Sequence, residues 1–177
     1  MTIDETKVTT FATICVVLLR EVRLERGFHQ AQIADAIGKT ASAWTKVEAG
    51  KSPLSFETFI RVCNSLQVSP SAVMAAAERY ASMLTNKWSG PGWAVLSTEH
   101  DGDDTLMRAA QEYWASPGFR NHQANRWGFQ TILNSPYPNA DGTFTIAPVF
   151  EFAVNDAFRE EQLNPVLTAP PSMRKGF

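Results

Sequence analysis

Ala41, Ser42, Thr45 and Lys46 recur at helical spacing within the stretch GFHQAQIADAIGKTASAWTKVEAG, residues 27–50. Together they offer a methyl, two hydroxyls and an ammonium along one side of a short helix. Trp44 and Val47, three positions apart, mark the opposite side as the one that seats on a core. Hydroxyl and ammonium groups donate to phosphate oxygens and to acceptors on base edges, and a small methyl can meet thymine. The major groove of duplex DNA is wide enough to admit one helix. The chemistry expected of this row is noncovalent, sequence-specific DNA binding rather than catalysis.

The elements around the row must hold it in place. Ile33, Ala34 and Ile37 predict a preceding helix closed by Gly38, where a left-handed backbone is tolerated without a Cβ clash. Thr40 then serves as N-cap of the helix that carries the polar row. A first helix is predicted from Thr9 or Thr10 to Arg26, with Ile14, Val17, Leu18, Val22 and Leu24 inward, and Gly27 stops it. Downstream, Gly50-Lys51-Ser52-Pro53 reads as a turn. Ser55 caps a helix to Leu66 bearing Phe56, Phe59, Ile60, Val62 and Cys63. Ser69-Pro70 opens another, with proline at the first helical position, carrying Val73, Met74, Ala77, Tyr80, Ala81 and Leu84.

Arg23, Gly27, His29-Gln30, Ile33-Ala34, Gly38, Lys46-Val47-Glu48 and Gly50-Lys51 stand in a register that resembles the Cro/C1-type (XRE) helix-turn-helix regulators, over residues 10 to 80. The resemblance implies a domain of about five helices and roles for individual residues. Gln30 would contact phosphate and brace the next helix. Ala41, Ser42 and Lys46 would read base edges, and Lys51 with the backbone of residues 49–50 would hold phosphate. Arg23 and Glu48 would form an internal ion pair tying the first helix to the third. Some positions depart from the family pattern: His29 replaces the usual Ser, Thr or Asn cap, Lys39 occupies a turn position that is usually apolar, and Ala41 and Ser42 are short. Short side chains make no bidentate base contacts, so readout leans on Lys46, Thr45, a thymine-methyl contact and DNA shape. The candidate DNA-binding set is His29, Gln30, Lys39, Thr40, Ala41, Ser42, Thr45, Lys46 and Lys51.

The whole chain of 177 residues carries a net charge of −2, which by itself argues mildly against a nucleic-acid partner. Residues 1–87, however, hold ten Lys and Arg against eight Asp and Glu, whereas residues 88–177 hold six against ten. The acidic excess lies wholly in the second half, and phosphate attraction depends on the local field. A hydrophobic fraction of 44% with 19% charged residues describes a globular protein rather than a disordered one. The start, MTIDETK, predicts no secretory signal, and the apolar run from Phe11 to Leu19 is too short for a membrane. Cys15 and Cys63 sit in apolar helical patterns and read as core residues. A cytoplasmic protein is expected.

Residues 86–92, NKWSGPG, break every period and place a boundary: residues 1–87 form an all-α helix-turn-helix domain, and residues 88–177 a small α+β domain with a loose tail from Asn164. In the second domain Trp93–Ser97 suggests a strand, and Asp104–Ala115 a helix with Leu106, Met107, Ala110 and Tyr113 or Trp114 inward. Trp127–Leu133 and Thr143–Pro148 suggest strands around SPYPNADG, whose Asp141-Gly142 pair signals a hairpin. Val149–Glu161 suits a helix through Phe150, Val154 and Phe158, while Val149–Val154 alone would also suit a strand; a helix is expected.

That half shows no catalytic set. A self-cleaving Ser-Lys domain needs a lysine beside its serine, and residues 88–177 hold only Lys175, in the tail. His100, Asp101, Asp103 and Asp104 match neither a calcium loop nor a zinc signature, and read as a polar loop before an acidic helix start. No phosphate loop or paired sensor histidines are present, so no cofactor or metal is expected. The aromatics Tyr113, Trp114, Phe119, Trp127, Phe129, Phe144, Phe150, Phe152 and Phe158 suit a core or a dimer face better than a ligand cage. The expectation is a homodimeric repressor bound to an inverted-repeat operator in double-stranded DNA. The alternatives are an antitoxin or partner-binding module with autoregulatory DNA binding, and a ligand-responsive regulator.

Overall fold

The computed structural model describes residues 7–86, 91–97, 102–121 and 131–165. A short strand, β1 (Val8–Thr10), leads into α1 (Phe11–Glu25). Thr10 caps that helix by accepting the Thr13 N–H at 3.0 Å. Four helices follow: α2 (Gln30–Ala36), α3 (Ala41–Glu48), α4 (Phe56–Ser65) and α5 (Pro70–Thr85). Their order agrees with the pattern of apolar residues, and Ser55 accepts the Thr58 N–H at 3.1 Å as its position predicts, whereas Ser69 makes no side-chain cap bond and its hydroxyl meets that of Ser71 at 2.6 Å. Gly38 and Gly50 close α2 and α3 with φ of +70° and +71°. In that left-handed geometry Lys39 N–H reaches the Ala34 carbonyl at 2.9 Å, and Lys51 N–H the Lys46 carbonyl at 2.8 Å.

After α5 come β2 (Ala94–Leu96), α6 (Thr105–Ala115), α7 (Pro117–Asn121), a 3₁₀ turn (Ile132–Asn134), β3 (Tyr137–Pro138), β4 (Phe144–Thr145), α8 (Pro148–Val154) and α9 (Asp156–Leu163). The architecture is a helical N-terminal region followed by a small α+β portion. Strand β2 lies parallel to β1, pairing Val8 with Ala94 and Thr10 with Leu96. No periodicity announces β1, because three residues are too few to show alternation. Helix α1 packs on α5 and α6, and α6 packs on α8. Buried side chains from both portions join one apolar cluster around Leu18, Val22, Tyr80, Leu106, Phe150 and Phe152. Cys15 and Cys63 lie in it as free thiols.

Three expectations for the second half need correction. The strand predicted for Trp127–Leu133 falls partly outside the described residues, and Ile132–Asn134 forms a 3₁₀ turn instead. The Glu25 carboxylate accepts the Ile132 N–H at 2.5 Å, which takes that donor away from any sheet ladder. The hairpin exists, but its first strand is Tyr137–Pro138, inside the segment read as the loop, and its second is only Phe144–Thr145. Pro148 accounts for the short second strand, since it starts α8 at the first helical position. Val149–Glu161 is two helices rather than one. Asn155 separates them, accepting the N–H groups of Ala157 and Phe158 at 3.1 and 3.2 Å. Of the tail expected from Asn164, residues 166–177 lie outside the described residues.

Candidate nucleic-acid interface

Helix α3 is held from below by three buried side chains. Trp44, Val47 and Glu48 are 1%, 5% and 0% exposed. A charged residue is so completely buried only when it is paired. Arg23 of α1 supplies the pair, with Nε donating to Glu48 Oε1 at 2.6 Å and Nη2 to Oε2 at 3.0 Å. Its remaining Nη1 donates to the Phe28 carbonyl at 2.7 Å, so one guanidinium fixes both α3 and the entry to α2. Gln30 adds a third donor to the same carboxylate at 2.6 Å. The ion pair and the brace implied by the family resemblance are both present.

With that underside fixed, the outer side of α3 is open. Ala41, Ser42, Thr45 and Lys46 are exposed, as are Lys39 and Thr40 at its start and Lys51 in the turn that follows. Thr40 accepts the Ala43 N–H at 3.1 Å as the cap and keeps its hydroxyl hydrogen for a contact outside the helix. Thr45 donates to Gln30 Oε1 at 3.3 Å and keeps its oxygen free to accept. Gln30 is half-buried, and with Nε2 given to Glu48 and Oε1 taken by Thr45 it retains one amide hydrogen for an outside contact. His29 is exposed at the start of α2. Its backbone N–H is closed by Gln32 Oε1 at 2.7 Å, the reciprocal half of a capping box.

Two supports were not legible in the chain. Arg61 of α4 donates to the Ile37 carbonyl at 3.2 Å and so holds the end of α2 while pairing with Glu57 at 2.6 Å. The Glu57/Arg61 spacing announces only a helix-surface pair. The other support is Met107 of α6, whose side chain lies 3.0–3.6 Å from where a Cβ on Gly50 would stand. The second half of the chain therefore touches the exit turn of α3.

Asp103 and Asp104, considered for metal, are otherwise engaged. Asp103 pairs with Arg108. Asp104 caps α6 through the Met107 N–H at 2.9 Å and accepts the hydroxyls of Thr9 and Thr13 at 3.0 and 2.7 Å. His100 and Asp101 fall outside the described residues, as do Trp127 and Phe129 of the aromatic set. Tyr113, Trp114, Phe119, Phe150 and Phe152 are core, with Tyr113 edge-on to Phe119 at 5.2 Å. Phe144 is instead 55% exposed, and Phe158 is half-buried.

Residues 16–76 match the helix-turn-helix domain family. Among solved structures, the crystal structure of the clp gene regulator ClgR from C. glutamicum is similar at 24% identity, with a TM-score of 0.36, over 38% of this chain and 88% of that one. No curated protein matches the chain. Among the described residues no helix is long and apolar enough to cross a membrane.

Proposed function

We propose that the helix-turn-helix region of residues 16–76 places α3 in the major groove of DNA, and that the protein is a sequence-specific transcriptional regulator. One observation carries this reading: Ser42, Thr45 and Lys46 form an exposed row above the buried Trp44, Val47 and Glu48, with Lys51 exposed in the next turn. In this reading Lys46, Thr45 and Ser42 meet base edges and Ala41 meets a thymine methyl. His29, Gln30, Lys39 and Lys51 meet phosphates, and Thr40 holds the start of the helix while lying against the backbone.

A single α3 with short contact residues gives modest discrimination, which favours two copies acting together. We infer a homodimeric repressor in the cytoplasm, with residues 1–87 contacting DNA and residues 88–177 pairing the subunits. Exposed Tyr137 and Phe144, at 52% and 55%, offer apolar surface for that pairing. Two-fold symmetry would set the two α3 helices about 34 Å apart on an inverted repeat. A footprint of the full chain on the DNA upstream of its own coding sequence tests the reading. Two protected half-sites one helical turn apart are expected; uniform or absent protection contradicts it.

A further inference from the structure

The exit turn of α3 and the first turns of α6 enclose a cleft of about 430 Å³. Its floor is carbon, from Val16 of α1, Pro53 and Leu54 of the turn, and Met107 of α6. Lys51, Ser52, Arg108 and Gln111 line it with donors, and Asp103 and Asp104 with carboxylates. The two kinds of polar group differ in what they have left to give.

The carboxylates are engaged. Asp104 already accepts from two threonine hydroxyls and one backbone N–H, and Asp103 holds Arg108. The donors are in surplus. Among the described residues Lys51 has no side-chain partner. Among the described residues Gln111 gives its amide to the Met107 sulfur alone, at 3.6 Å, a poor acceptor. Arg108 keeps N–H groups beyond the one that meets Asp103. An apolar floor beneath spare cationic donors suits an anion with an apolar body. The charges of the two aspartates equal those of Lys51 and Arg108, which leaves no net attraction for a multiply charged ligand and lets the Lys51 ammonium meet a single carboxylate.

We propose that this cleft binds a small carboxylate on an apolar body and that its occupancy competes with DNA for Lys51. The second clause rests on the reading of Lys51 as a phosphate contact; the first does not. Ligand charge at Lys51 removes the attraction that the turn offers to phosphate, and by linkage DNA lowers the affinity for the ligand by the same factor.

Calorimetric titration of the full chain with benzoate, beside its neutral analogue benzamide, tests the site. Benzoate is expected to bind and benzamide to bind about tenfold more weakly or not at all, since only the former meets the spare cations. Ala12→Trp fills the cleft from an exposed position of α1, and Gln111→Glu adds a carboxylate at its mouth. Both variants are expected to lose benzoate binding while retaining the helical circular dichroism of the parent, and Ala12→Trp, which adds no charge, also retains its DNA affinity. Saturating benzoate should weaken duplex binding by the parent about tenfold and leave that of Ala12→Trp unchanged. Absence of benzoate binding, equal binding of benzamide, or full binding by both folded variants overturns the site. DNA binding indifferent to bound benzoate overturns the competition. Benzoate binding by a chain with no affinity for any duplex overturns the function proposed above and leaves the site standing.

Discussion

Arg23 and Glu48 meet through two N–H···O bonds of 2.6 and 3.0 Å, and the carboxylate is fully buried beneath α3. The pair joins the first helix to the third across 25 residues. Removing only the cation would leave an uncompensated buried charge. Arg23→Met is therefore expected to cost about 3–5 kcal/mol, whereas replacing both partners by apolar residues of similar volume recovers most of that loss. Urea unfolding of the single and double variants checks both statements. A single variant as stable as the parent would show that the pair does not anchor α3.

Asp104 joins the two portions of the chain by receiving Thr9, Thr13 and the Met107 N–H. Asp104→Ala deletes an N-cap and leaves the buried Thr9 hydroxyl without its acceptor, for a loss of about 1–3 kcal/mol. Thermal unfolding measures it. Because Met107 leans on Gly50, the same variant is also expected to speed hydrogen exchange of amides 49–52.

Burial pushes the Cys15 thiol up to about 12 and the Cys63 thiol up to about 11, from an ordinary 9.0. Since the thiolate is the reactive form, both should resist a maleimide at pH 8 in the native protein and react in urea. The sign for stability follows from the same shifts. The native state keeps both protons while the unfolded chain releases its own, so stability is unaffected below about pH 8 and falls as pH rises through 9 towards 11 and 12. Equal labelling with and without urea would contradict the burial.

Lys51 sits in a turn rather than on the reading helix, so its contribution is to phosphate and carries no sequence information. Lys51→Ala is expected to weaken matched and mismatched duplexes alike and to reduce the salt slope by about one. Fluorescence anisotropy over a salt series checks this; a loss confined to the matched duplex would move Lys51 into the base-reading set.

Most of the helix-turn-helix was legible because its signals are local. Thr40, Ser55 and Gly38 announce their caps within three residues, and Trp44, Val47, Ile33 and Ile37 announce a buried side by spacing alone. The exposed row of α3 follows as the complement of that side. What escaped reading depends on long-range partners. Strand β1 exists because Val8–Thr10 meets Ala94–Leu96, and a three-residue strand has no pattern of its own. Thr131–Asn134 has the apolar content of a strand, but the Glu25 carboxylate takes its N–H from 107 residues away. Asn155 ends one helix and caps the next, a choice that two apolar phenylalanines at helical spacing conceal. The cleft beside Lys51 was invisible for the same reason, since α1, the α3 exit turn and α6 each supply part of it.

Parallel selection of duplexes from a random pool by the parent chain and by Lys46→Ala bears most directly on the claim that α3 reads DNA. The parent should enrich a two-fold-symmetric sequence, with binding that falls by orders of magnitude between about 50 and 200 mM salt. Lys46→Ala should bind that sequence about 1–3 kcal/mol more weakly and relax the preference at one position of each half-site. Failure of the parent to enrich any sequence above the starting pool, or an identical preference and affinity in the two proteins, would contradict it.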